Sequence, residues 1–289
     1  MEEEWKVLAC PCCRSALRPT GSDGLGCAGC GRSFPIRNKV PVLLRPEDAA
    51  RLATFSHQYR QGRLRDNWQP MTPEKALALP FGHPSGYPSL YWEVRRQSYR
   101  ALMQLLAREG PPPEAGPVAD LGAGTGWLSY RLAQAGYRVL ALDASLDEFF
   151  GLGAAKVYLA SASFLRVQGN LEHPPLLTGK LRLIVLNASL HYADDLESTL
   201  CHSAQILQPG GRWIALDTPI ARQPRPGTGR GDRHLGRRVL HEALLNAGLR
   251  PRWIAVRRGV RWWLYQAKAW LKRESRFSFP MVVADRNDP

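Results

Sequence analysis

Val118-Ala119-Asp120-Leu121-Gly122-Ala123-Gly124-Thr125-Gly126 decides how this 289-residue chain is read. A short apolar run ends in an acid and then in glycines at every second position. The apolar residues read as a buried parallel strand, and Trp127 to Ala135 as the helix that follows it. Glycines so spaced allow a sharp turn and let the backbone approach a ligand with no Cβ in the way. The dinucleotide fingerprint G-x-G-x-x-G/A is the obvious competitor. With Gly122 and Gly124 as its first glycines, its next small position falls on Trp127, which is too large. The loop is therefore not built to press a pyrophosphate against the start of the helix.

Outward from this turn, strands and helices alternate. Tyr137 to Leu142 reads as a second apolar strand ending in Asp143, where an acid can accept both ribose hydroxyls of a nucleoside. A helix is expected around Asp147 to Ala160, then a strand at Phe164 to Val167 leading into Gly169-Asn170-Leu171. Leu181 to Asn187 reads as the fourth strand and Asp194 to Leu207 as a helix. Pro209-Gly210-Gly211 closes that helix ahead of a fifth strand, Arg212 to Leu216. A helix from about Arg233 to Ala247 and strands at Arg252 to Val256 and Phe279 to Ala284 complete the alternation.

The D-x-G-x-G-x-G form, Asp143 and the turn Leu207-Gln208-Pro209-Gly210-Gly211 occur in that order within residues 116–284. Together they resemble the class I S-adenosylmethionine-dependent methyltransferases. The resemblance implies an α/β fold, a seven-stranded doubly wound (Rossmann-like) sheet whose last strand inserts antiparallel. It implies that Gly122, Ala123, Gly124 and Gly126 pass under the methionyl part of the cofactor while Asp120 meets its amino group. Asp143 would hold the ribose, and Ala144 is small enough to lie beneath adenine. Many members have Asp where Asn170 stands, beside Leu171. An Asn carbonyl also accepts a hydrogen bond from the adenine amino group, at some loss of charge assistance. Ligands of such sheets sit beyond the carboxyl ends of the strands, which places Asn187, His191 and Tyr192 at the reaction centre. His191 reads either as a general base or as a hydrogen-bonded wall residue. The N-P-P-Tyr/Phe signature of the amino-methylating members is absent, and the acid usual near Arg182 is missing.

Cys10-Pro11-Cys12-Cys13 and Cys27-Ala28-Gly29-Cys30 form two C-x-x-C knuckles. Thiolates so spaced close a tetrahedron around Zn²⁺, and a closed set of Cys10, Cys13, Cys27 and Cys30 is structural. Cys12 competes within the first knuckle, but a C-x-C pairing strains the loop. Cys201 reads as a small core residue. The segment from Leu8 to Leu44 resembles a zinc ribbon, that of the small activator subunit of tRNA and protein methyltransferases. Here Asn38-Lys39 replaces the usual Asp-Gly turn. Loss of the metal is expected to unfold the ribbon while leaving cofactor binding largely intact.

The expected domains are a zinc ribbon at 1–46, a connector at 47–115 covering the cofactor site, and the methyltransferase domain at 116–289. Prolines punctuate residues 45 to 88, which read as irregular, yet Phe55, Tyr59 and Trp68 imply that the stretch packs against something. Ser89 caps a helix through Arg108 from which Tyr91, Trp92 and Arg95 or Arg96 face the cofactor or the sheet.

The formal charge is +14, unevenly spread. Residues 111–219 carry 7 basic and 10 acidic side chains, which suits a cationic sulfonium ligand, whereas residues 220–289 carry 16 and 5. No apolar run is long enough to span a bilayer, and the acidic N-terminus does not resemble a signal peptide, so a cytoplasmic location is expected. The Asn187–Tyr192 segment resembles that of the small-molecule and quinone C- and O-methyltransferases, which favours a small acceptor. An RNA base is the alternative, with Arg222, Arg225, Arg230 and Arg233 at the entrance and the basic tail meeting phosphates. Residues 257–276 read as a cap over the site with tryptophans turned inward, ahead of a basic aromatic helix in peripheral contact with a membrane.

Overall fold

The computed structural model describes residues 6–82, 89–221, 234–272 and 277–287. Arg222, Arg225, Arg230 and Arg233 lie outside them.

The central sheet runs through β5 (Val118–Leu121), β6 (Val139–Asp143), β7 (Leu165–Gly169), β8 (Leu181–Asn187), β9 (Leu207–Leu216), β12 (Leu249–Ile254) and β14 (Met281–Arg286). Their order is β7-β6-β5-β8-β9-β14-β12, the expected doubly wound sheet of seven. β14 lies antiparallel between β9 and β12, as the resemblance implied. Alternation along each strand feeds two cores. Leu121, Leu140, Leu142 and Ile184 face one side, while Val118, Val139, Ala141 and Val185 face the other. Both faces are covered, so these strands are apolar almost throughout.

The ribbon is not a separate bead. Its strands β1 (Leu17–Pro19), β2 (Gly24–Cys27), β3 (Ser33–Arg37) and β4 (Val40–Leu43) form an antiparallel meander. β4 pairs parallel with β7, Val42 against Gln168 and Leu43 against Gly169, so the ribbon extends the central sheet to eleven strands. Arg14 reinforces the joint by donating to the carbonyls of Pro174 and Leu176. Independence of ribbon and cofactor site is therefore not what the architecture supports, because β7 leads directly into Asn170 and Leu171.

The connector departs from the irregular reading. Helix α1 (Pro46–Arg65) is 20 residues long, and α2 (Pro73–Ala78) follows with Thr72 as its N-cap. Pro46 and Pro73 occupy first-turn positions, where the missing N–H costs nothing. They start helices here instead of breaking them. Helix α3 (Ser89–Glu109) then crosses the sheet, and α4 (Trp127–Gln134) follows the glycine turn.

The opposite correction applies at residues 147–160. Asp147 Oδ1 accepts the N–H groups of Phe149 and Phe150, an Asx turn that competes with helix. A Cβ on Gly151 would stand 2.6 Å from the Ser145 carbonyl oxygen, so the chain folds back tightly and keeps only a 3₁₀ turn at Ala154–Tyr158.

Helices α5 (Leu196–Ile206) and α6 (Arg237–Asn246) cover the other face, and Cys201 is exposed on α5 instead of buried. A small second sheet, unforeseen in the sequence, joins β10 (Ile220–Ala221), β11 (Leu235–Gly236) and β13 (Phe277–Ser278). Helix α7 (Val260–Leu271) packs on α3, and only part of the cap expectation holds. Trp262 is buried, whereas Trp263 and Trp270 are exposed. Among the described residues, no helix is long and apolar enough to cross a membrane.

Candidate functional site

β5 ends where its neighbour β6 still runs, and the chain must turn within a few residues. Gly122, Gly124 and Gly126 all adopt positive φ, 77°, 54° and 78°, which only glycine takes without strain. The three have different duties. A Cβ on Gly122 would stand 2.4 Å from the Ser189 Cβ, and one on Gly126 would stand 2.9 Å from that of Ala155. Those two glycines permit packing. Gly124 meets no atom within 4 Å and faces open space.

That space is a cleft of two small recesses, of about 80 and 60 Å³, that share part of their lining. Ala123, Gly124, Thr125 and Asn187 border the first, together with Trp92 and Arg95 of α3. The connector closes it with Tyr59, Arg63, Trp68 and Met71. The second holds Asp143, Ala144, Leu171 and Tyr192, with Phe55 and Phe150 as aromatic walls. Gly122, Gly124, Tyr59, Phe150 and Ala188 belong to both.

Asp143 is fixed at the tip of β6. Its Oδ2 accepts the Gly124 N–H at 2.8 Å and its Oδ1 accepts the Ser145 N–H at 2.8 Å. Burial pushes the carboxyl above its usual range, and these two donors pull it back. Asp120 lies beneath the loop, in neither recess, and its Oδ2 accepts the Ser129 hydroxyl at 2.7 Å. Burial raises its pKa to about 7, opposed by Ser129 and aided by the negative charge of Asp143. The two acids give the glycine side of the cleft a negative potential suited to a cation.

Asn187 ends β8 at the first recess, its Oδ1 buried with no partner among the described residues. Ala188 beyond it holds φ at 53°, an unusual strain for a residue with a Cβ, found where a site dictates the backbone. Asn170 differs from its expected role. Its Oδ1 accepts the Glu172 N–H at 2.9 Å, and it borders neither recess. Leu171 alone of that pair faces the cleft.

Tyr192 is an aromatic wall, edge-on to Phe55 and Tyr59 with centroids 5.8 Å away in each case. It stands in the recess of Asp143, not in that of Asn187. His191 is buried beside it and borders neither recess. Burial lowers its pKa to about 3, with the charges of Arg63 and Arg95 adding to the effect. The ring is neutral at physiological pH, but a base so weak is poorly matched to proton abstraction. The hydrogen-bonded wall reading fits no better, since the ring borders neither recess and its Nδ1 has no hydrogen-bond partner among the described residues.

The sequence reading expected residues 47–115 to cover the site but not that a helix, α1, would line it. Phe55, Tyr59, Arg63, Trp68 and Met71 are there because α1 is a helix, which the prolines concealed. Arg63 lies over the Tyr59 and Trp68 rings at 4.5 and 4.2 Å, and Arg95 over Trp92 at 4.9 Å. Of the four candidates on α3, Trp92 and Arg95 reach the cleft, while Tyr91 packs with Val94 and Trp262.

At the ribbon, the sulfurs of Cys10, Cys13, Cys27 and Cys30 all lie within 4.8 Å of one another, and Cys12 is outside the set. Ligand sulfurs about 2.3 Å from a tetrahedral metal are about 3.8 Å apart, so the cluster fits such an ion.

Residues 119–215 match the family model of a methyltransferase domain. The malonyl-[acyl-carrier protein] O-methyltransferase of Pectobacterium atrosepticum is 31% identical over 48% of this chain and 51% of its own length. That of Enterobacter lignolyticus is 29% identical over 49% and 53%. The chain spans about half the length of these curated relatives. Among solved structures, geranyl diphosphate C-methyltransferase of Streptomyces coelicolor superposes with a TM-score of 0.55 at 19% identity, covering 76% of this chain and 86% of that one. A chain from the complex of the Haloferax volcanii Trm112 methyltransferase activator with a methyltransferase gives 0.52 at 21%, covering 68% and 92%. The sheet is thus that of the class I methyltransferases, and the glycine turn lies within the matched domain.

Proposed function

We propose that the chain is an S-adenosylmethionine-dependent methyltransferase acting on a small acceptor that carries an anionic group, by O- or C-methylation. The observation that carries the reading is the division of charge across one cleft. Asp120 and Asp143 lie on the glycine side, and Arg63 and Arg95 lie among aromatic rings on the other.

The residues fit the cofactor. Gly124 leaves room for it, Asp143 presents acceptors for the ribose, and Asn187 Oδ1 offers an acceptor to an ammonium group. When bound, S-adenosylmethionine supplies an electrophilic methyl group. Protein residues then have three tasks. Aromatic walls at Tyr59, Trp68 and Trp92 exclude water, the acids stabilise positive charge, and Arg63 and Arg95 orient an anionic acceptor in line with the methyl group. No general base is needed if the attacking atom is already an anion, such as a carboxylate. The named relatives are O-methyltransferases of malonyl-[acyl-carrier protein] and the structural neighbour is a C-methyltransferase of geranyl diphosphate, acceptors with an acidic group of the kind the arginines suit. The ribbon cluster would hold one structural Zn²⁺.

Incubation with methyl-labelled S-adenosylmethionine and cell extract tests this. Label is expected in acidic small molecules or carrier-linked acyl groups, and label in RNA would contradict it.

A further inference from the structure

Helix α7 has its apolar face on the wrong side for a helix that serves only the core. Val260, Trp263, Leu264, Ala267, Trp270 and Leu271 recur at helical spacing on one face. All are exposed, Val260 and Leu271 at 74%, Trp263 at 64% and Trp270 at 61%. The inward face is carried by Trp262 and Ala269, with Trp262 packed on Val94 and Phe279. Water-exposed tryptophans and leucines in one contiguous stripe mark an interaction surface.

Charge decides what that surface meets. Arg261, Lys268 and Lys272 recur at i, i+7 and i+11, all exposed along the flank beside Leu264, and the helix carries no acidic residue. The segment from 220 to the end is the most basic of the chain, with 16 basic and 5 acidic side chains. A solvent-facing stripe of tryptophan and leucine flanked by cations on long stems suits the headgroup boundary of an anionic bilayer, where aliphatic stems snorkel and rings sit at the interface. The helix is also firmly founded. Arg258, at its base, donates to the carbonyls of Val94 and Phe279 and to Ser98, and Arg261 bridges to Ser89 and Glu93.

We propose that α7 docks the protein peripherally on anionic lipid bilayers, with Trp263, Trp270 and Leu271 entering the interface and Lys268 and Lys272 meeting lipid phosphates. α3 connects this face with the cleft. Val94 supports α7 while Trp92 and Arg95 of the same helix border the first recess.

The test is co-sedimentation of the full chain with vesicles of phosphatidylcholine alone and with vesicles containing phosphatidylglycerol. Two variants accompany it, Trp263→Ser/Trp270→Ser/Leu271→Ser and Lys268→Glu/Lys272→Glu. Every substituted side chain is exposed, and an unchanged melting temperature verifies the fold. The wild type is expected to pellet with anionic vesicles, the apolar variant to bind at least roughly tenfold more weakly, and the charge variant to lose its preference for anionic lipid. Wild type that stays in the supernatant with both vesicles, or an apolar variant that binds undiminished, overturns the proposal. So does a wild-type dimer that ignores vesicles and becomes monomeric in the apolar variant, since the face would then be covered by a second copy.

Discussion

Gly124 donates its backbone N–H to Asp143 Oδ2 at 2.8 Å, joining the glycine turn after β5 to the acid that ends β6. With Ser145 on the other oxygen, each carboxylate oxygen keeps a lone pair for a ribose hydroxyl. The cleft is thus organised before a ligand arrives. Asp143→Ala should weaken S-adenosylmethionine by about 1–3 kcal/mol, through the lost hydrogen bonds and a less ordered loop. Asp143→Asn should fall between it and wild type. Calorimetric affinities equal to wild type would remove Asp143 from the site.

Asp120 links pH to both stability and binding. Its pKa of about 7 in the fold lies above the ordinary aspartate value of 3.8, so its contribution to stability is full below pH 4 and is lost as pH rises through 7. Asp120→Asn should raise the stability of the ligand-free protein at pH 8 by on the order of 2–4 kcal/mol. Cofactor affinity should move the opposite way, strengthening in wild type as pH rises from 6 to about 8 and staying flat in the variant. Parallel pH profiles for the two proteins would refute this coupling.

His191 has the opposite sign. Its folded pKa of about 3 lies below the ordinary histidine value of 6.5, so it contributes stability above pH 6.5 that is lost as pH falls. His191→Gln should spare the protein about 3 kcal/mol of the loss between pH 7 and pH 4. Its pH–rate profile should keep the wild-type shape, because a buried neutral ring outside the cleft does not titrate during turnover. A limb between pH 5 and 8 that vanishes in the variant would restore His191 as a base.

Removing the metal should reach the cleft. The ribbon holds the edge of β7 through Val42 and Leu43, and α1, which supplies Phe55, Tyr59 and Arg63, begins three residues after β4. Cys27→Ser/Cys30→Ser should lose zinc and also weaken cofactor binding, by roughly tenfold, as the walls loosen. Unaltered cofactor affinity in a zinc-free double variant would show the ribbon to be energetically separate.

The acceptor arginines have their own signature. Arg63→Ala or Arg95→Ala should raise the acceptor KM roughly ten- to a hundredfold while leaving the cofactor affinity within about a factor of three. An equal loss for both substrates would place these arginines in the cofactor site instead.

The sequence makes the sheet legible because its strands are buried on both faces and therefore apolar, and because positive-φ glycines and a strand-tip acid have few other uses. The same logic fails where proline is read without its position. Pro46 and Pro73 begin helices, so α1 and the aromatic wall it carries were hidden inside an apparently irregular stretch. Asn170 and Tyr192 sit where the pattern puts them in the chain, yet their neighbours redirect them, the first to the backbone N–H of Glu172, the second to the rings of Phe55 and Tyr59. Register and partner choice are tertiary properties, and no local spacing encodes them.

The most direct measurement is a calorimetric titration of the purified wild-type chain with S-adenosylmethionine, S-adenosylhomocysteine and NAD. One saturable site is expected for each of the first two ligands, with no detectable heat from the third. Absence of binding to either adenosyl ligand, or a preference for the dinucleotide, would contradict it.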